Sequence, residues 1–303
     1  MKKVRVGVIG VGVMGGYHAQ NYADLKEAKL IGIYDRDEKR AQEVAEKYQT
    51  ISYRTPEELI AQCEALSVCS PTSTHLEMAK TCLEAGRHTL VEKPLATTEE
   101  DAQSLVALAR SKKIVLAVGM IERFNPALMK AQGILKKDVI IGIKASRQSP
   151  LPQRITDADV IEDVMVHDLD LANFLAASPL ESVKATAERI ATEKFDKARA
   201  TLYFKSGTIA KILANRVHDT KERKLTVTTN NAIVEIDLLN KKLFVRSFEN
   251  INEKQHIEIE PANQLHMELK DFLLAIRNKR PPKTAGEDGA RLLGILQEVK
   301  RKI

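Results

Sequence analysis

The chain has no tryptophan, and its aromatic residues make up only 4% of 303. A surface that stacks nucleic-acid bases needs several exposed rings, so this scarcity argues against such a partner. Cysteine is nearly as sparse. Cys63, Cys69 and Cys82 are unclustered and lack metal-ligand spacing, which predicts reduced thiols, no metal site of their own and a cytoplasmic address. No apolar run approaches the ~20 residues of a membrane span, so no membrane is expected as a partner. The first strand begins almost at Met1, without the layout of a signal peptide. Internal repeats and low-complexity segments are also missing.

What is present is ordinary in bulk. Apolar residues make up 44%, a normal globular share, and the length suits two domains. The formal charge is +6, but basic and acidic residues are interleaved. The clusters Lys136-Lys137, Arg277–Arg280 and Lys300–Lys302 read as solvated helix ends. A basic chain of this kind suits an anionic small molecule better than a polyanion.

The order of elements separates two halves. Apolar runs at Val4–Gly10, Lys29–Asp35, Ile51–Tyr53, Ala65–Ser70, His88–Lys93 and Ile114–Gly119 alternate with helical stretches. This predicts an α/β domain over residues 1–120, a doubly wound parallel sheet covered on both faces. After Met120–Pro126 and one helix, strands come in series. Turn signals stand at Lys205-Ser206-Gly207 and Asn230-Asn231, and two helices close the chain. Residues 121–303 are therefore expected to form a second α/β domain with a mostly antiparallel open sheet. Ile209, Ile212, Leu213 and Ala214 put apolar residues on both alternating faces, so a sheet face needing cover predicts a homo-oligomer.

The first strand runs into Gly10-Val11-Gly12-Val13-Met14-Gly15, a G-x-G-x-x-G between a strand and a helix. Asp35 stands twenty residues after Gly15, at the end of the next strand. In that context the motif is a dinucleotide fingerprint. Gly10 permits the turn, Gly12 lets the backbone approach the pyrophosphate, and Gly15 brings helix and strand together. Val13 and Met14 open the helix whose amino terminus faces the phosphates. Asp35 would bind the ribose hydroxyls and repel a 2′-phosphate, which favours NAD over NADP, while Arg36 could attract such a phosphate. Ligands of open α/β sheets bind beyond the carboxyl ends of the strands. Ser70, Pro71, Thr72 and His75, together with Glu92, Lys93 and Pro94, are expected there beside the cofactor. Lys93 could exchange a proton with a substrate alcohol oxygen.

In the second half, Asp163, His167 and Asp170 are spaced i, i+4 and i+7 and would share one helix stripe, opposite Ile161, Val164, Met165, Ala172 and Leu175. By spacing alone that stripe could be a solvated polar face, a metal site or a catalytic face. Taken together, G-x-G-x-x-G-x-x-H (Gly10 to His18), Pro71-Thr72 with His75, Glu92-Lys93-Pro94 and Asp163–Asp170 resemble the Gfo/Idh/MocA oxidoreductase family, in order along essentially the whole chain. The resemblance implies a Rossmann domain, a C-terminal α/β domain whose outer sheet face makes a homodimer or homotetramer, and NAD(P)-dependent dehydrogenation. It also implies Lys93 and His167 as catalytic residues and Asp163 as the associated acid.

Two departures matter. The stretch "TDADVIED" before the histidine lacks the glycine-rich turn of many members. "GMIERFNP" and "SPLPQR" look like the branch that oxidises UDP-N-acetylglucosamine at C3, although that branch would have a His where Met120 sits. From this resemblance Arg123, Asn125 and Arg154 join Lys93, Asp163 and His167 as expected substrate-binding residues. The two arginines suit a diphosphate. Asn125-Pro126 could equally be an ordinary helix start. A free sugar or inositol-type polyol is the alternative substrate, and a non-catalytic dinucleotide sensor the alternative of another class.

Overall fold

The computed structural model describes residues 2–151 and 158–303. The chain divides into two compact units, Met1–Ile121 with Asn263–Leu293, and Glu122–Ala262 with Gly294–Ile303.

The first unit follows the alternating pattern: β1 (Val4–Ile9), α1 (Val13–Asp24), β2 (Ala28–Tyr34), α2 (Glu38–Lys47), β3 (Ile51–Ser52), α3 (Pro56–Gln62), β4 (Ala65–Val68), α4 (His75–Glu84), β5 (His88–Glu92), α5 (Glu99–Ser111) and β6 (Leu116–Gly119). The six strands are parallel, in the order β3-β2-β1-β4-β5-β6. Every residue of β4 and β6 is buried, because helices cover both faces, and this is why these strands read as apolar runs, broken in β4 only by Ser67. Strand order reverses beside β1, which opens a crevice at the carboxyl ends of β1 and β4. Three helices start on a side chain that accepts a backbone N–H: Asp37 from Arg40, Thr55 from Glu58 and Thr98 from Asp101. Helix α1 differs. Its N-cap is Gly12, which offers no side-chain cap, so its first N–H groups are available to an anion.

Two further helices, α8 (Gln264–Asn278) and α9 (Gly286–Arg301), follow the strands of the second unit. The order of elements alone assigns both to residues 121–303. In the structure, Asn263–Leu293 instead belongs with the first unit. The reason is apolar: Leu265, Leu269, Phe272 and Leu273 of α8 join the core that holds Ala19, Tyr22 and Leu25 of α1. Asn263 caps α8 and donates from its amide to Asn21 Oδ1 at 3.2 Å.

The second unit contains α6 (Pro126–Leu135), β7 (Ile140–Gln148) and a π-helical turn, Ile161–Met165, that runs into α7 (Val166–Ala176). Then come β8 (Leu180–Glu188), β9 (Lys197–Phe204), β10 (Ile209–Asn215), β11 (Glu222–Thr229), β12 (Ala232–Asp237), β13 (Lys242–Ser247) and β14 (Gln255–Ile257). The sheet order is β14-β13-β12-β11-β7-β10-β9-β8. The two expected turns join β9 to β10 and β11 to β12, and Gly207 takes φ +86°, which favours glycine. One pair is parallel, β7 with β10. Strand β7 comes before α7 in the chain yet sits between β10 and β11, so its two neighbours run in opposite directions.

The alternation on β10 is one-sided. Ala210, Ile212 and Ala214 are buried, whereas Ile209 and Lys211 are exposed. The face carrying Ile209 is shared with Lys144, Ser146, Thr201, Lys211, Leu213 and Thr226 around a shallow depression of about 520 Å³. It is mixed rather than apolar. Among the described residues no helix is long and apolar enough to cross a membrane.

Candidate active site

The glycine loop has the geometry its spacing predicts. Gly10 takes φ +82°, and a Cβ there would lie 2.6 Å from Ser70 N. A Cβ on Gly15 would stand 1.8 Å from Gly10 O, so only glycine lets α1 approach the end of β1 so closely. At Gly12 an added Cβ would meet nothing within 4 Å, which leaves room beside the amino terminus of α1. Val13, 71% exposed, and Met14 form the first turn there. This open, donor-rich cradle fits a dinucleotide pyrophosphate.

Asp35 does more than face outward. Its Oδ2 accepts from Val11 N at 2.7 Å and its Oδ1 from Asp37 N at 2.9 Å, so the carboxylate braces the glycine loop. The cation nearest it is not Arg36, which is exposed, but Arg40 on α2, with Nη1 3.6 Å from Asp35 and Nη2 3.1 Å from Asp37. His75 lies behind the loops. It is 1% exposed, with Nδ1 2.7 Å from Pro94 O and Nε2 2.8 Å from Ser70 O, and it ties the segment after β5 to the segment after β4. Ser70 accepts from the Thr74 hydroxyl at 2.8 Å, while Pro71 is exposed and Thr72 opens a short 3₁₀ turn. The cofactor expectation for His75 thus meets a side chain that shapes the site from inside the fold.

Glu92 ends β5 and Lys93 follows it, both half-buried, and the peptide bond between Lys93 and Pro94 is cis. Glu92 Oε1 is 3.0 Å from His18 Nε2, whose Nδ1 is 3.0 Å from Ser67 Oγ. Sequence spacing flags His18 through its motif but gives no sign of Ser67 or Tyr22, which share this network.

In the second unit, Asp159 starts the π turn by accepting from Ile161 N and Glu162 N at 2.9 and 3.0 Å. Asp163 in that turn and His167 in α7 are both half-buried. A π turn inside a helical run is a frequent mark of a functional site. The stripe is not a solvated face. Asp170 is 3% exposed and forms a bidentate pair with Arg123 (2.6 Å from Nη2 and 2.9 Å from Nε), and Arg123 also lies over the Phe174 ring. Asp168, 1% exposed, pairs with Arg147 through two bonds of 3.0 Å. Arg147 also donates to Glu122 at 2.9 Å, and Arg223 adds a second donor to Glu122 at 3.2 Å. Burial pushes the Glu122 carboxyl up, but Arg147 and Arg223 outweigh it and hold the group below its ordinary range. Burial wins at Asp168, which is pushed up despite Arg147.

The residues expected for substrate phosphates fare differently. The Arg123 guanidinium is engaged inside the fold with Asp170, so it is not presented as an unfilled fork. Asn125 is fully buried, caps α6 through Ala127 N and donates to Leu238 O at 2.9 Å, which is helix-start chemistry. Arg154 lies outside the described residues. Sequence reasoning missed Arg147, Asp168, Glu122 and Arg223. One signal existed: Arg147 falls in phase with the buried Ile143 and Ala145 of β7, so a charge there demands buried partners. Among the described residues no group of three or more His, Cys, Asp or Glu side chains is placed to hold a metal ion.

Residues 4–120 match the model of an oxidoreductase family with an NAD-binding Rossmann fold, and residues 144–235 match the GFO/IDH/MocA C-terminal domain. The UDP-N-acetylglucosamine 3-dehydrogenase of Acidithiobacillus ferrooxidans is 33% identical over 310 residues, spanning 99% of this chain and 97% of that protein. The myo-inositol 2-dehydrogenase of Thermotoga maritima is 28% identical over 314 residues, spanning 96% and 94%. A solved structure of the Acidithiobacillus enzyme superposes with a TM-score of 0.95, covering 100% of this chain and 98% of that one. With both domains matched and a relative 33% identical along nearly the whole chain, this chain belongs to the Gfo/Idh/MocA family of NAD-binding oxidoreductases and is an enzyme acting on alcohol groups.

Proposed function

We propose that the enzyme oxidises a secondary alcohol of a nucleotide sugar, the C3 hydroxyl of UDP-N-acetylglucosamine, with NAD. The observation that carries this reading is the match to the Acidithiobacillus dehydrogenase, which runs through both domains almost without interruption at 33% identity. Bound NAD supplies the hydride acceptor. Lys93 and His167 are the catalytic residues: one of them takes the alcohol proton as the carbinol hydride departs, and Asp163 assists His167. Ser70, Pro71, Thr72 and Glu92 line the cofactor site beside Lys93, and reduction follows the same path backwards. Asp35 sets the preference for NAD over NADP, because its carboxylate repels a 2′-phosphate. The enzyme works as a homodimer or homotetramer through the mixed outer face of the second sheet, which light scattering at micromolar concentration tests.

A free polyol is the second reading, favoured by one specific observation. Arg123 is engaged with Asp170, so grip on a diphosphate falls to other residues, Arg154 first among them. The deciding experiment is NADH production across UDP-sugars, free sugars and inositols. Turnover of UDP-N-acetylglucosamine well above the others supports the first reading, and a preference for inositols replaces it with the second. Arg154→Ala should raise KM for the UDP-sugar far more than it lowers kcat, since phosphates are remote from the reacting carbon.

A further inference from the structure

Four side chains of the first unit form a line of hydrogen bonds that ends at the Lys93 backbone N–H. The Tyr22 hydroxyl is 2.8 Å from Ser67 Oγ, Ser67 Oγ is 3.0 Å from His18 Nδ1, and His18 Nε2 is 3.0 Å from Glu92 Oε1. The other carboxylate oxygen of Glu92 accepts from the Lys93 backbone N–H at 3.3 Å. Tyr22, Ser67 and His18 are at most 1% exposed, so water does not compete for these bonds.

The direction of each hydrogen follows from what each group can donate. A carboxylate has no proton to give, so the hydrogen between His18 and Glu92 sits on Nε2. An imidazole with its N–H there offers a lone pair at Nδ1, which the Ser67 hydroxyl fills. Ser67 in turn accepts from Tyr22, whose phenol burial pushes up, keeping it a donor. Every hydrogen is used once. Strand β6 makes room for the end of the line: Gly119 pairs in register with Glu92, and a Cβ there would stand 2.7 Å from Glu92 Oε1.

We propose that His18 and Glu92 are positioning residues for Lys93, the buried relay fixing the Glu92 carboxylate and the carboxylate holding the Lys93 amide so that the lysine leaves β5 in one direction. This rests on the reading of Lys93 as a proton-transfer group. Misplacement of a reacting group by about 1 Å can cost on the order of a hundredfold in rate.

The test uses the whole enzyme. Glu92→Ala should lower kcat about tenfold or more, with KM for the alcohol changed less than about threefold. Glu92→Gln should fall between, because its amide can accept from His18 but its NH₂ cannot accept from Lys93. Gly119→Ala displaces the carboxylate, the far end of a flexible side chain, so the protein should fold and show the same kcat defect. In a Glu92→Ala background the same methyl should cost nothing more. Nitrogen-15 NMR of His18 at about pH 8 should show a protonated Nε2 and a bare Nδ1.

A proton found on Nδ1 alone overturns the relay. So does independent multiplication of the Gly119→Ala and Glu92→Ala defects. A slow Lys93→Ala beside a near-normal Glu92→Ala overturns the positioning role alone. A Lys93→Ala enzyme of normal rate removes the lysine reading and the positioning role with it.

Discussion

The two units bury polar groups in opposite ways. In the first, the interior polar line of Tyr22, Ser67, His18 and Glu92 ends at the edge of the site, and the glycine loop leaves helix N–H groups open. In the second, charges are buried in mutual pairs: Arg123 with Asp170, Arg147 with Asp168 and Glu122, and Arg216 with Asp196. Asp196 shows how complete this satisfaction is. It is fully buried and accepts from Ile190, Ala191 and Thr192 N–H, the Thr192 hydroxyl and Arg216 Nε. A unit built to bind a cofactor keeps donors in reserve, whereas a unit that packs helices on a large sheet uses its charges on itself.

If that contrast is right, removing one charge inside the second unit does the most damage. Arg147→Ala should cost about 3–5 kcal/mol of stability, because Glu122 and Asp168 are left buried without their partner. Chemical denaturation measures it, and a loss below about 1 kcal/mol would break the contrast by showing that water reaches these carboxylates.

The polar residues proposed for proton transfer should behave in the reverse manner. Lys93→Ala and His167→Ala should each lower kcat about a hundredfold or more while thermal stability and NAD affinity stay close to wild type. Steady-state rates set beside NAD titration decide this. Near-normal turnover in both variants would return Lys93 to a charged strand cap.

A smaller effect is expected at Asp35. Asp35→Ser should cut the preference for NAD over NADP by at least about tenfold, because a 2′-phosphate then meets Arg40, still paired with Asp37, without the Asp35 carboxylate to repel it. Kinetics with both cofactors would show it, and an unchanged ratio would mean that the carboxylate only braces the loop.

The smallest effect sharpens the second side of the contrast. Burial alone would push Asp196 up, but the hydrogen bonds from Thr192, Ala191 and Ile190 overrule it and hold the carboxyl well below its ordinary 3.8. A depressed folded value stabilises the native state above the unfolded value, and that stabilisation is lost as pH falls from about 3.8 toward the folded value. Asp196→Asn should therefore lower Tm at neutral pH, and the gap to wild type should narrow at acid pH. A gap that widened on acidification would contradict the sign.

Local rules reach most elements here. Alternating apolar runs gave the parallel sheet, Asn125-Pro126 fitted a helix start, and Gly10-Val11-Gly12-Val13-Met14-Gly15 located the glycine turn between β1 and α1. What local rules miss has a common form. Strand β7 slips between β10 and β11 across a long chain separation, and α8 returns to the core of the first unit, because both are settled by which apolar face needs which cover. Asp170 could read as part of a polar helix stripe until Arg123 arrives from elsewhere in the chain, and Asp168 carries no sign of its partner Arg147.

By itself the sequence determined the two kinds of sheet, the dinucleotide fingerprint with Asp35, and the candidacy of Lys93 and His167. These depend on residues close together in the chain, where periodicity, turn chemistry and motif spacing act. Tertiary structure alone decided that Arg123 and Asn125 serve the fold, that His75 braces two loops, that Arg40 rather than Arg36 stands beside Asp35, and that His18 and Ser67 support Glu92. A charged or polar side chain has several possible partners, and which it meets depends on distances between segments that no local pattern encodes. Burial then makes the choice binding, since an unpaired group away from water costs far more than a paired one.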